Sequence, residues 1–105
     1  MNLPNIISEL LKAQNKFDSG AYANCFTEDA EVVDEEKKHK GKTEIQNWID
    51  KANKEYGATM TPLDFNEGES LLSAETAGAF PGSPVVLKYH FQLFNDRIKY
   101  LKITT

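Results

Sequence analysis

One carboxylate and one histidine stand out as groups that could move protons. Asp34 ends a predicted strand, residues 30–34, and His39 lies in the charged segment that follows. A carboxyl group in an apolar pocket loses hydration of its charged form, which raises its pKa and suits it to general acid/base catalysis. His39 would then be a proton shuttle or a polar group at the pocket mouth. The alternative is a solvated hairpin, with His39 bonded to a loop carbonyl.

Other kinds of reactive site have little support. Cys25 is the only cysteine, which excludes an intrachain disulfide and a cysteine-rich metal site, and we interpret it as a small buried hydrophobe. His39 and His90 lack metal-binding spacing, so we expect no metal. The sequence contains no glycine-rich phosphate loop, dinucleotide fingerprint or ordered Ser-His-Asp set, and we expect no cofactor.

Composition and charge describe one ordinary globular domain. The chain has 105 residues, of which 40% are hydrophobic and 27% charged, so we predict a single domain over residues 1–105 with a modest core. A net charge of −4 leaves no basic surface for phosphates, and we expect no nucleic-acid partner. There is neither a membrane-length apolar stretch nor a signal-peptide pattern at the N-terminus, and these features predict a cytoplasmic protein without a membrane partner.

Apolar residues at helical spacing predict three helices in the first half of the chain. They cover residues 4–16, 21–26 and 42–56. Asp18 or Ser19 would cap the second helix. Thr43 and Gln46 have capping-box spacing at the start of the third helix, and Gly57 would end it.

Period-two alternation predicts strands, mostly in the second half. They cover residues 30–34, 59–66, 70–80, 84–94 and 97–104. We interpret Thr27–Asp29 as a polar turn, residues 35–40 as a charged loop or edge hairpin, and Asn95-Asp96 as a two-residue hairpin turn. Helices followed by antiparallel strands favour an α+β fold over a parallel α/β fold.

The strand over residues 84–94 has two different faces. One face is apolar or aromatic throughout and should cover the helices: Val85, Leu87, Tyr89, Phe91 and Leu93. The other is mixed: Val86, Lys88, His90, Gln92 and Phe94. Because a half-apolar outer face of a sheet commonly packs against a second subunit, we hypothesise a homodimer formed through the sheet.

Three segments of the chain resemble the nuclear transport factor 2-like superfamily, especially its SnoaL-like, polyketide-cyclase-like branch. They are Tyr22–Glu35, His39–Ile49 and Phe80–Ile103, and they cover most of the chain in the family's order. The resemblance implies a cone-shaped, curved antiparallel sheet wrapped around N-terminal helices, a cystatin-like α+β barrel that encloses a pocket. The same cone serves isomerases, dehydratases, epoxide hydrolases and non-catalytic proteins, so it indicates fold more strongly than function.

The resemblance also implies roles for single residues. Asp34 matches the general-base aspartate of ketosteroid isomerases, and Trp48 matches an aromatic residue of their pocket. Leu10 stands where those enzymes have a donor tyrosine, and Tyr89 where they have a protonated aspartate. One oxyanion donor is thus lost and the other replaced, so steroid isomerase activity is not expected.

Two other sites of the superfamily fit less well. An epoxide-hydrolase-like site needs an Asp–Arg–Asp arrangement, and the only arginine, Arg97, adjoins a hairpin turn. A dehydratase-like site surrounds an aspartate with histidines and tyrosines. The spacing of Tyr22, Tyr56 and Tyr89 does not indicate that they assemble in this way.

Our main hypothesis is a small-molecule-binding domain with an apolar pocket, in which Asp34 performs isomerase- or cyclase-type acid/base chemistry and Tyr89 donates a hydrogen bond. The predicted ligand-binding residues are Trp48, Phe91, Leu10, Phe26 and His39. The aromatic residues could equally fill the cone. The alternative function is therefore a non-catalytic dimerisation or protein-interaction module of the same fold.

Overall fold

The computed structural model describes all 105 residues as three helices and one six-stranded sheet. In chain order the elements are α1 Asn5–Asn15, α2 Ser19–Asn24, β1 Phe26–Asp34, β2 Lys37–Lys40, α3 Lys42–Tyr56, β3 Thr59–Asn66, β4 Leu71–Ala77, β5 Val85–Phe94 and β6 Arg97–Thr104. The strand order across the sheet is β2-β1-β6-β5-β4-β3. The predicted α+β class is confirmed. None of the helices combines the length and the apolar character needed to cross a bilayer.

The sheet is mixed, whereas the sequence predicted purely antiparallel pairing. Four neighbouring pairs are antiparallel, but β1 and β6 are parallel. The reason lies in the meander β3-β4-β5-β6, whose last strand returns beside β1 and runs in the same direction. This closure pairs the end of β1 with β6, so that Asp34 lies opposite Ile103.

The helix ends show which local signals operate. The Asp18 carboxylate caps α2 by accepting the Ala21 N–H at 3.0 Å. At the start of α3 the predicted capping box is wrong, because Gly41 at φ 87° begins the helix without a side-chain cap and Thr43 already lies within its first turn. Gly57 ends α3 in the left-handed conformation, at φ 56°, as predicted.

Two strand boundaries differ from the prediction. Residues 27–29 belong to β1 rather than to a turn, with an irregular register against β6 that leaves Glu28 and Asp29 exposed. Strand β4 ends at Ala77 because the next backbone turns toward α3, where Ala79 N–H donates to the Tyr56 carbonyl at 2.8 Å. Gly78 permits this approach, since a Cβ there would lie 2.8 Å from the same oxygen.

The β1–β2 hairpin and the β5–β6 hairpin both have two-residue turns in which φ is positive. Glu35 and Glu36 connect β1 to β2 at φ 51° and 66°, and Asn95 and Asp96 connect β5 to β6 at 48° and 60°. Two left-handed residues in succession match the twist of a hairpin. Asn and Asp tolerate that conformation better than Glu does, so the turn after Asp34 is the more strained of the two.

The core lies between the helices and the inner face of the sheet. Eighteen buried side chains form one cluster, enough for a single continuous core in a chain of this size. Along β5, Tyr89 and Phe91 are buried while Lys88 and Gln92 are exposed, so the predicted alternation holds there. Near the end of the strand Leu93 is exposed although it lies opposite the buried Ile98, so burial on the inner face stops before β5 ends.

Candidate ligand-binding and catalytic site

A cavity of about 440 Å³ lies between helix α3 and the inner face of the sheet. Of the 18 residues that line it, 12 are hydrophobic, so the space suits a molecule that is mostly apolar. Strands β3 to β6 form one wall. Helix α3 forms the opposite wall with residues that share one helical face: Trp48, Ile49, Ala52, Asn53 and Tyr56.

Asp34 is a charged group in this largely apolar lining. It is the last residue of β1 and is only partly accessible to solvent. Burial, assisted by the negative charge of Glu35, raises the pKa of the Asp34 carboxyl above its ordinary value of 3.8. His39 and the Trp48 indole, both near the carboxyl group, lower this pKa by less. A carboxyl group in these surroundings is chemically able to accept or return a proton.

Three tyrosines surround the same cavity, although their sequence spacing gave no sign of it. Tyr22, Tyr56 and Tyr89 all line it together with Asp34. The hydroxyl groups of Tyr89 and Thr76 share a hydrogen bond of 2.8 Å. Burial raises the pKa of Tyr89 to about 12 and, with the charges of Tyr89 and Asp34, also raises the pKa of Tyr22. Both phenols therefore remain neutral hydrogen-bond donors rather than bases.

Trp48 lies between two other aromatic rings. The His39 imidazole stacks on its indole with ring centres 5.2 Å apart and an interplanar angle of 23°. The Tyr22 ring meets it edge-on at 6.2 Å. His39 itself does not line the cavity. Its stacking helps to fix the orientation of the Trp48 ring, which does line the cavity.

Besides His39, three other predicted ligand-binding residues lie away from the cavity. Leu10, Phe26 and Phe91 do not line it and belong to the buried core cluster. They come from α1, β1 and β5, at positions where helices and sheet pack directly on each other. Arg97, the single arginine, donates to the Asn24 carbonyl at the surface and is likewise outside the cavity.

The cavity wall also contains polar residues that the sequence analysis missed. Gln14 is buried, and its Nε2 donates to the Asn53 Oδ1 at 3.0 Å and to the Ala58 carbonyl at 2.6 Å. The Asn53 Nδ2 is buried without a hydrogen-bond partner. A glutamine within the apolar stripe of α1 was the available signal, since a buried amide needs a specific partner.

Cys25 and the acidic and histidine side chains provide no further reactive centre. The Cys25 thiol is buried and donates to the Ala21 carbonyl at 3.4 Å, and burial raises its pKa to about 11. At neutral pH it is therefore a thiol and a poor nucleophile. No three His, Cys, Asp or Glu side chains come together in a group that could hold a metal ion.

A curved sheet around helices, with an acidic residue in an apolar cavity, defines a class of small α+β proteins, and solved structures place the chain within it. A Sinorhizobium meliloti protein, provisionally assigned as a polyketide cyclase, is 35% identical, with 97% of this chain and 95% of that chain covered and a TM-score of 0.90. A Catenulispora acidiphila protein with a ketosteroid-isomerase-like fold, solved with trimethylamine, is 16% identical over 99% of this chain and 87% of its own, with a TM-score of 0.86.

A cystatin-fold protein from Novosphingobium aromaticivorans is 13% identical, covers 100% of this chain and 99% of its own, and has a TM-score of 0.81. No protein-family model and no functionally curated protein matches the sequence. The identity and coverage of the Sinorhizobium protein nevertheless show that the chain belongs to the nuclear transport factor 2-like superfamily, among its SnoaL-like domains.

Proposed function

We propose that the cavity binds a small, largely apolar molecule and that Asp34 acts on it as a general acid/base in an isomerisation or cyclisation. The observation that carries the proposal is a carboxyl group of raised pKa in the wall of a cavity lined mainly by apolar residues. The 35% identical relative with a provisional polyketide cyclase assignment supports the same chemistry. No cofactor is part of the proposal.

The chemistry assigns a separate task to each polar group. Ionised Asp34 removes a proton from a carbon next to a ketone, and the C–H electron pair forms an enolate. The neutral Tyr89 phenol donates to the enolate oxygen while its own oxygen accepts from Thr76. When the substrate is a β,γ-unsaturated ketone, the anion is a dienolate, and protonated Asp34 returns the proton to its γ carbon, which moves the double bond into conjugation with the ketone. In a cyclisation the enolate carbon instead attacks a second carbonyl, and protonated Asp34 returns the proton to the resulting alkoxide.

Proton abstraction can be tested without the natural substrate. We expect the wild-type protein to accelerate deuterium exchange next to the carbonyl of 2-tetralone in D₂O, measured by proton NMR. Asp34→Asn should slow the catalysed exchange by about 100-fold or more, the usual contribution of a general base. Glu36→Gln, which removes an exposed charge from the adjoining turn, is the matched control. Equal exchange by wild type and Asp34→Asn would exclude Asp34 as the base.

The outer face of the sheet favours a second role. Val86 is 51% exposed and Phe94 56% exposed on this face, which suits a protein contact. We propose that this contact is a homodimer. A non-catalytic interaction module would use the same face without turnover. Location in the cytoplasm stays a prediction from the sequence.

A further inference from the structure

The orientation of two side-chain amides in the cavity wall is fixed by a backbone group. The Ala58 carbonyl can only accept, so the atom of Gln14 that lies 2.6 Å from it must be the donor Nε2. The same Nε2 lies 3.0 Å from Asn53, so Asn53 must present its acceptor Oδ1. Reversing either amide would place two like groups against each other. The Asn53 Nδ2 therefore points away from Gln14.

This Nδ2 group is a donor without an acceptor. It is buried and forms no hydrogen bond in the protein, although Asn53 lines the cavity. Buried donors are rarely left unpaired, because desolvation without a hydrogen bond is unfavourable. Because Asn53 lines the cavity, a ligand bound there is one source of the missing acceptor. We propose that Asn53 binds a hydrogen-bond acceptor of the ligand, and that the ligand class is a neutral, mostly apolar molecule carrying a carbonyl oxygen at that end.

The place of Asn53 separates this contact from the acid/base centre. Trp48 lies close to Asp34 in space, and Asn53 follows Trp48 by five positions on α3. Five residues of an α-helix correspond to an axial rise of about 7.5 Å. A ligand that contacts both Asp34 and Asn53 must therefore have two separate groups. The oxygen that binds Asn53 must lie several carbons away from the carbon that loses its proton to Asp34. Gln14 restrains the Asn53 amide, so the donor is already oriented before a ligand enters. The inference rests on the proposed ligand-binding role of the cavity and adds the substrate class.

A matched pair of probes tests the inference. 6-Acetyl-2-tetralone and 6-ethyl-2-tetralone share the reacting ketone and differ by a second carbonyl group at the far end of the ring system. We expect 6-acetyl-2-tetralone to bind the wild-type protein about three- to tenfold more tightly than it binds Asn53→Leu, as loss of one neutral hydrogen bond implies. 6-Ethyl-2-tetralone, which lacks the second carbonyl, should bind both proteins equally. Asn47→Leu, an exposed position on the same helix, is the control and should bind both probes as the wild type does.

A second readout does not depend on the folding of a variant. In ¹⁵N-labelled wild-type protein, the Asn53 side-chain amide resonances should move on addition of 6-acetyl-2-tetralone and move much less with 6-ethyl-2-tetralone. If both probes bind and the acetyl compound neither moves these resonances further nor loses affinity in Asn53→Leu, the Asn53 inference is overturned while the cavity remains a ligand site. If neither probe binds, the proposed ligand-binding function fails, and the Asn53 inference fails with it.

Discussion

At the residue scale, the raised pKa of Asp34 means that its ionised form is less favourable in the folded chain than in the unfolded one. Between the ordinary value of 3.8 and the raised value, the native state binds more protons. The free energy of unfolding contributed by this group therefore falls as pH rises through that window, and the loss persists at higher pH. A carboxyl group in an apolar wall is in this way a destabilising feature.

Replacing Asp34 tests that relation directly. We expect Asp34→Asn to unfold at higher urea concentration than the wild type at pH 7, with the difference shrinking toward pH 3 as the wild-type carboxyl group is protonated. Urea unfolding followed by Trp48 fluorescence at several pH values would measure it. Glu36→Gln controls for removal of a nearby exposed charge. A wild type that is as stable as Asp34→Asn at pH 7 would contradict the assigned cause of the pKa shift.

How much of the candidate site the sequence could predict differs from residue to residue. Asp34 and Trp48 lie in segments whose family resemblance is strong, and both line the cavity. Leu10 was also predicted to line the cavity. Whether an inward-facing side chain meets the cavity or the packed core depends on the curvature of the sheet. Asn53 could not be found from sequence, because its significance depends on the partner that Gln14 supplies from 39 positions away.

At the scale of elements, the helices and hairpins could be predicted well from local sequence signals. Strand bounds and strand pairings that depend on residues distant in the chain could not. The bounds of α3, β3 and β6 agree with the prediction because their periodicity and terminal residues are local. The extension of β1 back to Phe26 and the end of β4 at Ala77 depend on partners distant in the chain. The parallel pairing of β1 with β6 has the same origin.

The β1–β2 turn offers an element-scale prediction. Glu35 and Glu36 both adopt the left-handed conformation, which is unfavourable for residues with a long side chain. Changing them together, Glu35→Asn with Glu36→Gly, should raise the free energy of unfolding by about 1–2 kcal/mol, because Asn-Gly is the preferred pair in such turns. Chemical denaturation at pH 7 would measure the gain.

The control for this turn separates conformation from charge. The double variant Glu35→Gln with Glu36→Gln removes the same two charges but keeps both side chains in the left-handed region. It should give a smaller gain than the Asn-Gly pair. If the two double variants are equally stable, repulsion between Asp34 and the turn glutamates, rather than backbone strain, is the main cost of this hairpin.

At the scale of the whole molecule, we propose separate tasks for the inner and outer faces of one sheet. The inner face surrounds the core and the cavity, so changes there affect stability and ligand binding together. The outer face leaves Val86 and Phe94 exposed and is free of that constraint. Superfamily membership fixes the cone but leaves both tasks to individual side chains. Assembly can therefore be perturbed through the outer face without altering the site.

The homodimer is the prediction that follows. In a two-fold interface both copies contribute the same contact residues. Phe94→Glu would therefore place two charges in the interface, one from each copy. We expect the wild type to sediment as twice the 11.8 kDa chain at tens of micromolar. Phe94→Glu should weaken dimerisation by about tenfold or more. Phe17→Glu changes a phenylalanine that is 45% exposed between α1 and α2 and should leave the dimer intact. A wild type that sediments only as the single chain would instead favour a monomeric domain whose outer face serves a different partner.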